Sequence, residues 1–227
     1  MKQTTNSFWE NEIYSQGQHL NKYPYDNVVS FIFRNYPRDK PKNEVAILEI
    51  GSGAGNNLWF AAKEGFNVVG IDGSQSAIEF AKKRFETESL KAEFWVGDFT
   101  DLPFKDNNFD LVIDRASLTC CGWEDIKKAV GEVHRVLVKS GKFFTNVYSV
   151  SHSSADSGIK NNDGTRSSMK MGSLAGIEHI YFFKEDEFDD LFGKGWKILS
   201  KKHKVIHDLE NKSIGIHAEW EIIAEKV

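Results

Sequence analysis

From Val45 to Tyr148 the chain alternates short apolar runs with stretches of helical spacing, and few folds accept that rhythm. The run VAILEIG, residues 45–51, is apolar apart from one acid and stops at a glycine, as a strand buried on both faces does. Helical spacing follows over Asn57–Gly65, then NVVGID (67–72) reads as a second strand. Ser74–Arg84 opens on a helix-start residue and carries Ile78, Phe80 and Ala81. AEFWVGD (92–98), FDLVIDR (109–115) and GKFFTNVYS (141–149) continue as third, fourth and fifth strands. Between the last two, Asp125–Val138 sets Ile126, Ala129, Val130, Val133 and Leu137 on one helical stripe. Strands separated by helices pair in parallel through right-handed crossovers. The expected fold is a doubly wound, mostly parallel α/β sheet with helices on both faces.

The flanks carry different patterns. Residues 8–36 read as helical and aromatic, with Asp26 capping a helix whose apolar face is Val28, Val29, Ile32 and Phe33. Pro37 and Pro41 then bound a linker. Ser149–Gly176 is dominated by serine, glycine, asparagine and aspartate. It is too long for an ordinary connection and implies a lid, a binding loop or disorder. Lys184–Phe192 reads as a short acidic helix with Phe188, Leu191 and Phe192 turned inward. WKILSKKHKVIH (196–207) and SIGIHAEWEIIAEKV (213–227), separated by the turn-like DLENK, form an antiparallel hairpin closing the sheet. The expected organisation is one domain: a helical cap (1–42), a core (43–148), an insertion or lid loop (149–180) and a closing helix with hairpin (181–227).

Composition narrows the function. With 29 basic against 33 acidic side chains the formal charge is −4, which gives no general pull toward nucleic acid or anionic lipid. The cluster Lys201, Lys202, His203 and Lys204 falls on a half-exposed strand and reads as a solvated face. Cys120 and Cys121 are the only cysteines; adjacent thiols rarely meet disulfide geometry and two make no zinc site. No metal is expected. No run approaches the ~18 apolar residues of a membrane span, and MKQTTNSFWENE lacks the order of a signal peptide. The expectation is a cytoplasmic protein acting on a small molecule, without membrane or nucleic-acid partners.

Glu49-Ile50-Gly51-Ser52-Gly53-Ala54-Gly55-Asn56 follows a strand and precedes a helix, the setting of a nucleotide loop. Asn56 stands where the dinucleotide pattern GxGxxG has its last glycine. Glu49 is poorly placed for a pyrophosphate and suits either a cationic ligand or the loop's own amides. Asp72 lies 21 residues after Gly51 at the end of the second strand, where a carboxylate accepts from a ribose diol. Asp98, followed by Phe99, ends the third. Three acids at successive strand ends fit ligand binding at the carboxyl edge, although Asp72 or Asp98 as a plain helix cap is the other reading.

Together EIGSGAGNN, GIDGS, VGDFTDLPFKDNNFDLVID and EVHRVLVKSGKF resemble the successive motifs of the class I S-adenosylmethionine-dependent methyltransferases, over about Val45 to Val147. The resemblance implies a seven-stranded sheet ending in a hairpin, with S-adenosylmethionine as cofactor. It implies that Gly51, Ser52 and Gly53 wrap the amino-acid end of the cofactor, with Glu49 and Asn56 in the same set. Asp72 would hold the ribose, with Gly73 and Ser74 beside the adenine. Asp98 and the Phe99 amide would read the adenine edge, and Asp114 and Arg115 would lie near the sulfonium and amino group. Lys139-Ser140-Gly141-Lys142 departs from the family's lysine–proline–glycine–glycine turn, which is structural.

A hydroxyl or amine acceptor must lose a proton to a base, for which Asp114, His152 and His179 are the candidates; His134 reads as surface. Trp9, Tyr14, Tyr23 and Tyr25 either cover the sulfonium, since aromatic faces attract cations, or pack against the sheet. Asp114-Arg115-Ala116-Ser117 lacks the two prolines of nucleobase amino-methylating enzymes. The polar Ser149–Gly176 stretch suggests a small acceptor, a sugar or metabolite methylated on a hydroxyl, amine or carboxylate. A dinucleotide-dependent oxidoreductase and a non-catalytic, cofactor-binding partner subunit are the alternatives.

Overall fold

Strands that are apolar along their whole length can only sit between two helical layers, and this sheet obeys that constraint. The computed structural model describes residues 7–211 and 215–227. After a helical turn at Trp9–Tyr14 come α1 (Asp26–Asn35), β1 (Ala46–Ile50), α2 (Asn56–Lys63), β2 (Asn67–Asp72), α3 (Gln75–Thr87), β3 (Glu93–Val96), β4 (Phe109–Arg115), α4 (Trp123–Val136) and β5 (Leu137–Tyr148). A short pair, β6 (Ile159–Lys160) and β7 (Arg166–Ser167), α5 (Glu187–Leu191), β8 (Trp196–His207) and β9 (Ile216–Lys226) complete the chain. The main sheet has seven strands in the order β3-β2-β1-β4-β5-β9-β8. All pairs up to β4–β5 are parallel, and β9 runs antiparallel to both β5 and β8. The order reverses direction after β3, so the crevice at the carboxyl ends of β1 and β4 is the switch point where such sheets hold ligands.

Each face has its own core. Val28, Phe31 and Ile32 of α1 pack with Leu58 and Ala61 of α2 and with Ile78, Ala81 and Phe85 of α3. On the other face Ile126, Ala129, Val130 and Val133 of α4 join Phe188 and Leu191 of α5. Successive residues of β4 divide between the two: Leu111 and Ile113 belong to the first core, Val112 to the second. Among the described residues no helix is long and apolar enough to cross a membrane.

Local expectations needed correction at three places. Asp26 does not cap α1: Tyr25 is the capping residue, extended at φ −77° and ψ 140° without a side-chain cap, and its N–H donates to Asn57 Oδ1 at 3.0 Å. The buried face of α1 is Val28, Phe31 and Ile32, because Phe31 stacks on Phe144 (5.2 Å); Val29 and Phe33 are half-buried. Residues 15–25 hold no helix, so the cap is a strap and one helix. Finally, α4 stops at Val136 and β5 starts at Leu137, which pairs with Phe109 before a shift of register at Leu111.

The 149–176 stretch is an ordered excursion rather than a disordered loop. It folds a turn at Ser153–Asp156 and the β6–β7 pair over Ala155, Met169, Leu174, Ile180 and Phe182, which are buried together. Lys201 pairs with Glu185 at 3.1 Å, Lys204 bonds Glu221, and His203 stacks on Trp220 with centroids 4.1 Å apart, so the basic cluster is partnered across the edge strands. Lys212 of the expected turn, with Ser213 and Ile214, lies outside the described residues.

The second core turns on Phe188, which is fully buried, parallel to Phe183 (5.7 Å) and edge-on to Trp220 (5.5 Å). Phe188→Ala is expected to cost about 3–5 kcal/mol, read from urea denaturation.

Candidate functional site

The carboxyl ends of β1 to β5 open into one cavity of about 540 Å³, within the size range of small-molecule sites. Its floor begins at the glycine loop. Gly51 (φ +64°) and Gly53 (φ +50°) are left-handed, a conformation that disfavours side chains. A Cβ on Gly51 would lie 1.9 Å from Ser117 Oγ, and one on Gly53 would lie 2.6 Å from Tyr14 Oη. The loop therefore brings bare backbone against the turn after β4 below it and the strap above it.

Asp72 holds this loop in place. Its Oδ2 accepts from the Gly53 N–H at 2.8 Å and its Oδ1 from the Ser74 N–H at 2.8 Å. Burial raises its pKa against those two amides, which favour the ionised form. Ser74 in turn caps α3, its Oγ accepting from the Ala77 N–H at 3.0 Å. Asp98 accepts from the N–H and hydroxyl of Thr100, both at 2.8 Å, and borders the cavity beside Phe99.

Glu49 is different. It is nearly fully buried, and Oε1 accepts from Asn57 Nδ2 at 2.6 Å. Its Oε2 has no hydrogen-bond partner, nor has the buried hydroxyl of Ser52 one turn away. Burial, helped by nearby Asp114 and Asp72, pushes the Glu49 pKa up to about 8, against the Asn57 bond and Arg115. Glu49 does not hold the loop's amides; that task falls to Asp72.

A family model described as "Methyltransferase domain" matches residues 47–141. The chain is 31% identical over 101 residues to an uncharacterized methyltransferase of Bacillus subtilis, covering 44% of this chain and 39% of that protein. It is 26% identical over 194 residues to a ubiquinone/menaquinone biosynthesis C-methyltransferase of Zymomonas mobilis, covering 81% and 78%. A solved structure from Methanosarcina mazei, described as a SAM-dependent methyltransferase, superposes with TM-score 0.70 at 23% identity over 90% of this chain and 99% of that one. The match spans about four-tenths of the curated relatives from Haemophilus influenzae and Bacillus subtilis. Residues 47–141 match the methyltransferase-domain family, and the chain shares the fold of a SAM-dependent methyltransferase.

Around this methyltransferase domain the chain builds two further walls. The strap is pinned to α3 by Glu10, which accepts from the Ser74 and Ser76 hydroxyls and from the Ser76 N–H (3.1 Å), holding its carboxyl below the usual range. Trp9, Tyr14 and Tyr25 border the cavity, whereas Tyr23 is 68% exposed and turns its edge to Trp59. The excursion supplies the opposite wall through Leu174, Ile177 and Ile180.

Glu49, Gly51, Ser52, Gly53, Asn56 and Asp72 stand together on the cavity wall, as do Gly73, Ser74, Asp98, Phe99 and Arg115. The three base candidates do not. Asp114 is fully buried beneath the floor, accepting from the Ser117 (2.8 Å) and Leu118 (3.1 Å) amides and the Thr145 hydroxyl (2.7 Å). It shapes the turn that presents Arg115; burial pushes its pKa up to about 6. His152 is fully buried in the excursion, Nδ1 accepting from the Ser154 N–H (3.0 Å) and Nε2 facing Ser173 Oγ (3.1 Å). Burial and His217 lower its pKa to about 4. His179 is exposed, away from the cavity lining. His134 is half-buried, its Nε2 3.0 Å from the Gly195 carbonyl.

Tyr148, Cys120 and His19 also line the cavity and were missed. The strand-end rule, applied to β5 as it was to β1, β2 and β3, finds Tyr148; only the path of the strap brings in His19. Both cysteines are free thiols.

Because Gly51 meets Ser117 so closely, Gly51→Ala is expected to destabilise the fold by about 2–4 kcal/mol, from overpacking and the left-handed backbone together. Ser117→Gly in the same chain should recover about half. Thermal denaturation of the two single variants and the double variant checks both values.

Proposed function

We propose that this protein transfers a methyl group from S-adenosylmethionine to a small-molecule acceptor. One observation carries the reading: a buried acceptor, Glu49 Oε2, and a buried hydroxyl, Ser52 Oγ, lie unpartnered beside a glycine turn that admits no side chain. Most buried polar groups in folded proteins are satisfied, and this pair on the cavity wall suits a ligand with an ammonium and a carboxylate on one carbon, the amino-acid end of the cofactor. Bound there, S-adenosylmethionine supplies a methyl group activated on a cationic sulfur.

The chain's own residues then bind and orient. Glu49 would take the ammonium, while the Gly51–Gly53 backbone and the Ser52 hydroxyl take the carboxylate. Each Asp72 oxygen keeps a lone pair beyond its amide bond and would accept from the ribose hydroxyls. Gly73, Ser74, Asp98 and Phe99 would flank the adenine. Asn56 serves the same site indirectly, since its Nδ2 donates to the Tyr23 carbonyl at 3.0 Å and so ties the strap to α2. Trp9, Tyr14 and Tyr25 would cover the sulfonium and exclude water. Alignment of this kind supplies much of the acceleration in two-substrate transfers, up to about 7–11 kcal/mol.

The dinucleotide reading is disfavoured by the same carboxylate, because Glu49 would face a pyrophosphate. A non-catalytic subunit would be expected to have lost the loop or its ribose acid, and both are intact. Within the small-molecule class, the sugar reading rested on the polar composition of the excursion. The residues it turns inward are largely apolar, which favours an acceptor with an apolar body.

The raised Glu49 pKa yields a test. Below about pH 8 the free carboxyl is largely protonated, and a bound ammonium needs it ionised, so binding releases a proton. Affinity for S-adenosylmethionine or S-adenosylhomocysteine should rise from about pH 6 to pH 8, by at most tenfold per unit, and fall again once the ligand's own ammonium loses its proton. Calorimetry in buffers of different ionisation enthalpy measures the proton directly. Glu49→Gln should bind more weakly and remove the slope; a wild-type affinity independent of pH would contradict this assignment.

A further inference from the structure

The ends of β4 and β5 and the excursion enclose a half of the cavity that the cofactor residues do not use. Leu174, Ile177 and Ile180 of the excursion line it with Cys120, Tyr148 and Arg115. Burial pushes the Cys120 thiol and the Tyr148 phenol each up to about 12, so both are neutral at ordinary pH. The cavity's carboxylates, Glu10, Glu49, Asp72 and Asp98, all stand on the strap or the first three strand ends. Its imidazole, His19, belongs to the exposed strap against Trp9. Arg115 is therefore the charge in this half. Its guanidinium stacks on Tyr25 at 4.3 Å, faces Glu219 at 3.9 Å and also feels Asp114 and Glu49, while its buried Nε–H has no hydrogen-bond partner.

We propose that this half is the acceptor subsite, and that it takes a weak acid with a compact apolar body, bound as its anion against Arg115. The inference rests on the methyltransferase reading above. The unpartnered Nε–H of Arg115 suits an anion, which also shields the guanidinium from a neighbouring sulfonium, and the apolar wall receives the rest of the molecule. The absence of a base from this wall then has a reason. An acceptor that arrives as a thiolate, phenolate or carboxylate has no proton to lose at transfer. Its electron pair forms the bond to the methyl carbon as the carbon–sulfur bond breaks. The electrons of that bond return to sulfur, leaving a neutral thioether and a neutral methylated product.

The test compares probes of one shape in the presence of saturating S-adenosylhomocysteine: thiophenol, phenol and benzoate against benzyl alcohol and benzylamine. Ligand-observed magnetic resonance reads binding, and mass spectrometry with S-adenosylmethionine reads methylation. At least one acid should bind ten times more tightly than both counterparts. Arg115→Gln should lower that affinity at least tenfold without a comparable change for benzyl alcohol, and Ile177→Asn should weaken acid and alcohol alike. S-adenosylhomocysteine affinity, measured on each variant, reports that the site is still folded. Benzylamine or benzyl alcohol binding as well as the acids overturns the proposal, as does failure of every acid to bind. Loss of nucleoside binding in Arg115→Gln with acid binding intact would give Arg115 to the donor, and overturns it too. If the nucleoside never binds while the acids do, the methyltransferase reading fails and the anion site remains.

Discussion

A single carboxylate links the two loops on which the site is built. Asp72 closes the end of β2 and accepts at once from Gly53 in the first loop and from Ser74 at the start of α3. Each loop has its own further support, the Ser52 N–H on the Ile71 carbonyl (3.0 Å) and the Ser74 hydroxyl on Glu10, and Asp72 ties the two together. The Gly51–Gly55 turn lies in left-handed conformations, each of which adds strain or entropic cost, and it stays ordered because its amide is fixed from the neighbouring strand. Charge-assisted bonds to backbone N–H groups are about twice as strong as neutral ones, so an acid does here what a serine could not. The arrangement also aims the remaining lone pairs of Asp72 at the cavity. Loop support and the proposed ribose contact fall to one side chain.

Two elements outside the sheet convert an open crevice into a cavity. The strap reaches it by way of Glu10, whose carboxylate sits over the first turn of α3, where the helix dipole favours negative charge. The excursion reaches it through its own small core, so that Leu174, Ile177 and Ile180 are fixed from behind by Met169 and Phe182. Polar residues dominate this stretch in sequence, and a minority of apolar ones decides which way it faces.

Strands were the most legible part of the sequence. β2 and β4 end at the residues read from pattern alone, because burial on both faces leaves an unbroken apolar run bounded by polar residues. The junction of α4 and β5 was not legible. Val136 and Leu137 are both buried and belong to different elements, and no change of hydropathy marks the switch. The strap escaped for another reason: residues 15–25 are aromatic enough to suggest an amphipathic helix but turn back on the loop instead. In the site, acids at strand ends were readable from position. The histidines were not, since a sequence does not say whether an imidazole within a loop points into that loop's core, as His152 does.

Parity explains the remaining misreading. Neighbouring residues of a strand point to opposite faces, so Asp114 and Arg115 cannot both reach one ligand. Asp114 follows Val112 toward α4 and meets Thr145, while Arg115 follows Ile113 toward α1 and meets Tyr25. On β1, Glu49 shares the face of Ile47, and Asn57 of α2 meets it there. On β9, Glu219 and Glu221 share the face of Ile223, where Asn27 of α1 bonds Glu221 at 2.7 Å. One face of the sheet thus carries a polar seam running from Glu49 through Arg115 to Glu219 and Glu221, between otherwise apolar layers. Buried charges are tolerated when paired or bound. Lys204 and Asn27 satisfy Glu221 at the far end, whereas Glu49 and Arg115, at the near end, each keep an atom without a partner. Asn27 Oδ1 and Asn146 Oδ1 also lack a partner, so the near end differs in that its unpartnered atoms belong to charged groups bordering the cavity. A charged group left with an unpartnered atom at a cavity wall suits a binding surface better than a purely structural network.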